Sequence, residues 1–192
     1  MTISISIARA AQTHPNHVAI RHLGADITWA QEADRVARLA GGLRALGLRA
    51  GDRLAILSAN VPENMEITYA AIWAGIVIVP LNTRLAGPEI DDILRRSGSR
   101  FLAFDQRNAA RAGALTTPLD GMVALEPGTD QPAATEFARL LASDPLAMFD
   151  AEADDLLGIY YTGGTTGTPK GVELTQNAFH IASLNVSIGI EV

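Results

Sequence analysis

The sequence contains no cysteine, which removes disulfide frameworks, thiolate nucleophiles and cysteine-ligated zinc from consideration together. A reducing cytoplasm is the expected location. Lysine is almost as scarce: of 15 basic residues, 14 are arginine and one, Lys170, is lysine. Blocks of one charge sign are missing, and 21 acidic residues leave a net charge of −6 with a pI near 5.1. That balance offers no basic field to nucleic acid or an anionic membrane. Long apolar runs are missing too. The most apolar window, 67–81, is broken by Gly75 and Pro80 and falls short of the roughly 20 residues needed to cross a bilayer, so it reads as buried core and no membrane span is expected. The start, MTISISIARA, has no basic residue ahead of an apolar run and no small-residue cleavage pattern, and no signal peptide is expected. His14, His17, His22 and His180 are scattered without metal-ligand spacing, and no metal site is expected.

What is present is a run of alternating apolar strands and helices. Residues 4–13 predict a helix with Ile5, Ala8 and Ala11 on one side, and 17–22 a strand turned by Gly24, Ala25 and Asp26. Thr28 and Gln31 form a capping-box pair ahead of a helix carrying Val36, Leu39, Ala40 and Leu43 on one face, with Asp34 and Arg38 toward solvent. Strands follow at 53–57, 76–79 and 101–104. Pro62 and Pro88 open the helices between them, the second with a stripe of Ile90, Ile93 and Leu94 and a stop at Gly98. β-branched strands without alternation belong to a parallel sheet covered on both faces. The fold class is therefore α/β, a mainly parallel sheet with helices on both faces in one domain.

The second half is less periodic. Segment 106–136 predicts one strand at 122–125 and a mobile loop at 127–134, with no catalytic role. Residues 138–143 predict a helix, 156–161 a strand, and 172–174 a short extension. Thr175 then caps a helix running to 188. Phe179, Ile181, Leu184, Val186, Ile188 and Ile190 surround that segment, the pattern of a helix covered on more than one side, so self-association as a homodimer is expected. The adjacent acids Asp91-Asp92 and Asp154-Asp155 read as solvated turns rather than acid–base pairs, and Trp29 and Trp73 as core anchors. Ser58 lacks the frame of a hydrolase nucleophile.

The chemistry concentrates at 161–172, YTGGTTGTPKGV. Gly163, Gly164 and Gly167 can turn successive backbone N–H groups toward one point and have no Cβ to hold an anion away. Thr162, Thr165, Thr166 and Thr168 add uncharged donors, Pro169 stiffens the approach, and Lys170 brings a mobile ammonium. A glycine-rich turn between strands is the commoner fate of such a segment. Against it stands the placement of the only lysine in an arginine-using sequence, where a compact point charge suits a phosphate. Neither the P-loop pattern nor G-x-G-x-x-G fits, since Pro169 precedes the lysine and Gly171 follows it.

The stretch resembles the loop of the adenylate-forming superfamily, which includes acyl-CoA synthetases, luciferases and peptide-synthetase adenylation domains. Tyr161, Thr162, Gly164, Thr165, Thr166, Gly167, Pro169, Lys170 and Gly171 match its [YF]-T-S-G-[ST]-T-G-x-P-K-G pattern, with Gly163 replacing the serine. The stretches TWAQEADRVARLAGGLRALGLRAGDRLAILSAN and AAIWAGIVIVPLNTRL are similar to the family in order and spacing. The resemblance implies an ATP-dependent acid–CoA ligase that joins a carboxylate to ATP with Mg2+ and passes the acyl group to coenzyme A. It assigns the ATP β- and γ-phosphates to Thr162, Gly163, Gly164, Thr165, Thr166, Gly167, Thr168, Pro169 and Lys170. No catalytic residue is expected within the chain, because the later family motifs, including the Y-G-x-T-E adenine-site pattern and the C-terminal lysine, are absent. The chain is thus expected to be the N-terminal part of the synthetase large domain, ending just after the loop and unable alone to form acyl-adenylates. A free-standing nucleotide- or phosphate-binding domain without catalysis, or a structural remnant, is the alternative.

Overall fold

Short apolar strands with side chains buried on both sides need a helical layer on each face. The computed structural model describes residues 3–129, 131–162 and 169–189. Helix α1 (Ile3–Thr13) precedes a two-stranded antiparallel hairpin of β1 (Val18–His22) and β2 (Ala25–Thr28). Then come α2 (Trp29–Ala45), β3 (Arg53–Leu57), α3 (Pro62–Trp73), β4 (Val77–Pro80), α4 (Gly87–Ser97) and β5 (Phe101–Phe104). The chain continues through α5 (Ala109–Gly113), β6 (Gly121–Ala124), β7 (Thr135–Glu136), α6 (Phe137–Leu141), β8 (Leu156–Thr162), β9 (Lys170–Thr175) and α7 (Gln176–Gly189). Strands order as β7-β6-β5-β3-β4-β8-β9, parallel throughout except for β9, which runs antiparallel to β8.

Alternate strand residues enter two separate cores. Leu54, Ile56, Ile78, Phe101, Ala103, Val123 and Leu157 meet α2, α3 and α6 on one face. Ala55, Leu57, Val77, Val79, Leu102, Phe104, Ala124 and Ile159 meet α4 and α5 on the other. The predicted stripe of α2, Val36, Leu39, Ala40 and Leu43, is fully buried, and the capping box forms through Thr28 and Gln31. Asp34 and Arg38 pair at 2.8 Å. Ile90, Ile93 and Leu94 bury as a stripe on α4, which ends at Gly98. Two consecutive glycines inside α2 weaken it by ~1 kcal/mol each relative to alanine, but they admit the chain after α6. A Cβ on Gly42 would lie 2.6 Å from the Leu140 Cα, and one on Gly41 would strike the Asp144 carbonyl. Trp73 anchors the same segment by donating from Nε1 to the Leu146 carbonyl at 2.9 Å.

Four expectations change. On α1 the inward stripe is Ser4 and Ile7, with Ala8 packed beside them, while Ile5 is 39% exposed; the helix lies across α2 and α3 one position out of the predicted phase. The hairpin turns at Leu23 and Gly24, with φ of 47° and 82°, so Ala25 and Asp26 already belong to β2. Asp91 is buried, not solvated. Its carboxylate accepts from the Thr116 and Thr117 amides at 3.0 and 2.7 Å and from the Thr116 hydroxyl at 3.0 Å, tying α4 to the segment before β6. Burial raises this carboxyl, but the Thr117 and Thr116 donors outweigh it and hold it below the usual range. Segment 106–136 holds more structure than expected, because α5 and the two-residue β7 are too short to show a period.

Between α2 and α3 lies an acidic group that nothing in the local sequence marks. Arg35 forks onto Glu66 through Nε and Nη2, and Glu66 is 1% exposed. Glu32, also 1% exposed, has no hydrogen-bond partner for either carboxylate oxygen among the described residues. Burial first, and the charge of Glu66 second, push its carboxyl up to about 7, against the opposing pull of Arg35. A folded-state value above the unfolded one means that folding favours the protonated form. The penalty is absent below about 4.5, grows as pH rises, and is complete once pH passes about 7. At ~1.4 kcal/mol per pH unit, the rise from 4.5 to about 7 amounts to roughly 3 kcal/mol. Glu32→Gln should therefore match the parent near pH 4.5 and gain stability relative to it up to neutral pH. Urea unfolding across pH 4.5–8 measures this, and a pH-independent difference between the two proteins would contradict the account of Glu32.

Candidate nucleotide-phosphate site

A parallel sheet brings every strand's carboxyl end to one edge. The chain leaves β3 for α3 on one face, and leaves the neighbouring β4 for α4 on the other. Such divergence opens a crevice at that edge, the usual place for ligands in open α/β sheets. A polar shelf centred on Asp105, fully buried just past β5, lies at the same edge beside β3. The Asp105 carboxylate accepts from the Ala59 amide at 2.7 Å and from the Asn108 amide and Nδ2 at 3.0 and 2.7 Å. Asn64 Nδ2 and the Ser58 hydroxyl both donate to the Ala59 carbonyl at 2.9 Å. Ser58 is thereby a shelf residue rather than a nucleophile.

Beside the crevice, β8 outruns its neighbour. Gly158 stands opposite Ile78; β4 stops two residues later at Pro80, whereas β8 continues four residues to Thr162. Tyr161 and Thr162 thus project past the edge, and the ladder with β9 closes on the pair Thr162–Lys170. Of the residues expected to bind phosphate, Thr162, Pro169 and Lys170 are held at the mouth of this hairpin. Thr162 and Lys170 are exposed and Pro169 is half-buried. Gly163, Gly164, Thr165, Thr166, Gly167 and Thr168 lie outside the described residues. Gly171 lets the hairpin close tightly, since a Cβ there would stand 2.9 Å from Ile159 Cγ2 and 3.1 Å from Tyr161 Cζ.

Arg96, in the last turn of α4, reaches this mouth. Its Nη1 donates to the Pro169 carbonyl at 2.7 Å, and its guanidinium lies 5.8 Å from the centroid of the Tyr161 ring. No pattern in the sequence connects positions 73 residues apart. A separate open cleft of about 500 Å3 lies between the β1–β2 hairpin and the start of α3, lined by Ile20, His22, Val61 and Met65 among others. Its one cation, Arg21, is already paired with Asp26 at 2.8 Å, and it contains no glycine-rich backbone, so it lacks what a polyphosphate requires.

Residues 7–191 match the family of AMP-binding enzymes. The chain belongs to that family. It is 38% identical over 180 residues to a feruloyl-CoA synthase of Amycolatopsis sp, covering 94% of this chain and 34% of that protein. It is 39% identical over 168 residues to the long-chain-fatty-acid–CoA ligase FadD13 of Mycobacterium tuberculosis, covering 86% and 33%. Among solved structures, the inhibitor-bound N-terminal domain of FACL13 from Mycobacterium tuberculosis superposes with a TM-score of 0.83 at 33% identity, over all of this chain and 48% of that one. This AMP-binding chain therefore spans about a third of the length of the curated relatives it matches. No helix among the described residues is long and apolar enough to cross a membrane.

The shelf gives a direct test. Replacing Asp105 by alanine takes the acceptor from the half-buried Ala59 amide and from the buried Asn108 Nδ2, each worth ~1–3 kcal/mol when unpaired, while the Asn108 amide keeps the residue-105 carbonyl at 3.1 Å. Asp105→Ala should lose ~2–4 kcal/mol of stability by denaturant unfolding. A loss below ~0.5 kcal/mol, the size of an ordinary surface change, would mean that the shelf does not hold the crevice.

Proposed function

We propose that the chain is the phosphate-binding part of an acid–CoA ligase, which activates a carboxylate as its acyl-adenylate and transfers the acyl group to coenzyme A. In this reading residues 162–170 hold the β- and γ-phosphates of ATP. The observation that carries it is the pairing of Thr162 with Lys170 across the hairpin mouth at the carboxyl edge of the sheet. A glycine- and threonine-rich segment is thereby closed on a lysine that forms no ion pair among the described residues. An ammonium serving only to stabilise the fold would be expected to have a carboxylate or carbonyl beside it. Backbone donors with one mobile cation suit the positioning and charge neutralisation that phosphate chemistry needs. Magnesium fits as a passenger of the nucleotide: among the described residues no group of three or more His, Asp or Glu side chains could hold an ion, and Mg2+ commonly binds through substrate phosphates and few carboxylates. The names of the relatives support a carboxylate and coenzyme A as the other substrates.

Titration calorimetry with MgATP tests the assignment. Affinity should fall in the order ATP, ADP, AMP, and Lys170→Ala should weaken MgATP binding on the order of 10-fold. Thermal unfolding of the variant should stay near that of the parent, since Lys170 is exposed. Equal affinity for the three nucleotides, or an unchanged Lys170→Ala variant, would remove the phosphate assignment.

The reading extends to self-association. Val172 on β9 and Ile181 and Leu184 on α7 are 44%, 49% and 48% exposed, and large apolar side chains left open in this way favour a partner. A second copy of the chain covers it in the proposal, giving a homodimer. Light scattering during size-exclusion chromatography should report a dimer mass. A monomer mass over a wide concentration range would rule out the homodimer.

A further inference from the structure

We propose that Arg96 is a positioning residue for the proposed phosphate loop, fixing the peptide that carries Lys170. The inference rests on the phosphate assignment for its functional meaning, but its geometry stands apart from it. The carbonyl that accepts from Arg96 Nη1 at 2.7 Å belongs to Pro169. That oxygen and the amide nitrogen of Lys170 lie in one rigid peptide plane. Holding the oxygen therefore sets the orientation of the backbone on which the ammonium is mounted. On its other side, Lys170 is paired with Thr162 by the ladder. The peptide is gripped from the sheet and from α4 together.

The same guanidinium touches both stems of the hairpin. It lies within cation–π range of the Tyr161 ring on β8 while bonding the residue just ahead of β9. The ring in turn lies over Gly171, where no Cβ intrudes. Arg96 is itself steadied by Asp92 one turn earlier on α4, at 3.6 Å. Arg95 shares the same carboxylate at 3.4 Å, so the pairing orients Arg96 rather than neutralising it. Its hydrogen bond to the Pro169 carbonyl makes its contribution one of placement, while the cation at the mouth that has no ion pair among the described residues is Lys170. A planar fork that can bond a carbonyl and lie against an aromatic ring is the property in which arginine exceeds lysine.

Three variants of the whole chain separate the possibilities: Arg96→Ala, Arg96→Lys and Lys170→Ala. Hydrogen exchange of the Lys170, Gly171 and Val172 amides reads the brace without any nucleotide. Arg96→Ala should speed exchange there ~5–10-fold, the size of one partly exposed hydrogen bond, with no change in the amides of β3 and β5. Arg96→Lys should restore part of the protection. In calorimetry, Arg96→Ala should weaken MgATP binding ~5–10-fold while leaving the salt dependence of the affinity as in the parent, whereas Lys170→Ala should flatten it. Unchanged exchange at the three amides would overturn the proposal. So would an Arg96→Ala variant that flattens the salt dependence as Lys170→Ala does, because Arg96 would then be a direct phosphate ligand. If the parent chain binds no MgATP, the phosphate assignment fails on its own. The exchange result still decides whether Arg96 fixes the Lys170 peptide.

Discussion

Everything at the candidate site depends on a sheet whose two faces must both be dry. A parallel sheet exposes apolar side chains above and below, so successive helices have to be distributed between the faces. Here α3 goes to one face and α4 to the other. That single difference parts the chain at the ends of β3 and β4. The crevice is a consequence of covering the sheet, not an addition to it. Asp105 ties the loop after β3 to the loop after β5, its two oxygens accepting from the Ala59 amide and from Asn108. Backbone groups in such a position need an acceptor, and a carboxylate with two oxygens serves both loops.

β8 and β9 follow a different rule. Antiparallel strands can be joined by a short connection, while parallel ones need a crossover. Among the described residues, the one antiparallel step in the large sheet is therefore where a short connection can join directly paired residues at the carboxyl edge. The glycine-rich motif occupies that step. α4 then bears on the residue ahead of β9 from outside, through Arg96, while its buried face carries Ile90, Ile93 and Leu94. One short helix thus packs the second core and braces the mouth of the hairpin.

What the sequence made legible was what local pattern encodes. The capping box of Thr28 and Gln31, the stripe of α2, the proline starts of α3 and α4 and the stop at Gly98 all act within a few residues. The motif at 161–172 was legible for the same reason, as a contiguous string of residue types. Asp91, Glu32 and Arg96 were not. Asp91 looks like any acid in a helix's early turns until Thr116, 25 residues on, supplies donors. Arg35 meets Glu66 across 31 positions, and Arg96 meets Pro169 across 73. Each is a polar residue whose meaning comes from a neighbour that only the sheet's strand order brings near. The phase error on α1 has the same origin: Ile5 and Ile7 are equally apolar, and only the angle at which α1 crosses α2 and α3 decides which of them is buried.

The scarcity of lysine gains a physical reading from the arginines. Arg53 donates to the carbonyls of Ser97 and Gly98 at the end of α4, Arg49 to those of Arg44 and Leu48 after α2, Arg111 to that of Thr83, and Arg38 to that of Ser143. These are carbonyls at helix ends and in loops, which lack partners in the regular ladders. A guanidinium can bond several oxygens from one rigid plane, and its weaker hydration lowers the cost of setting it against the protein. Arginine is thus this chain's means of closing its own backbone. Lys170 takes no part in that pattern: its ammonium makes no ion pair among the described residues, and the peptide that carries it is held by an arginine.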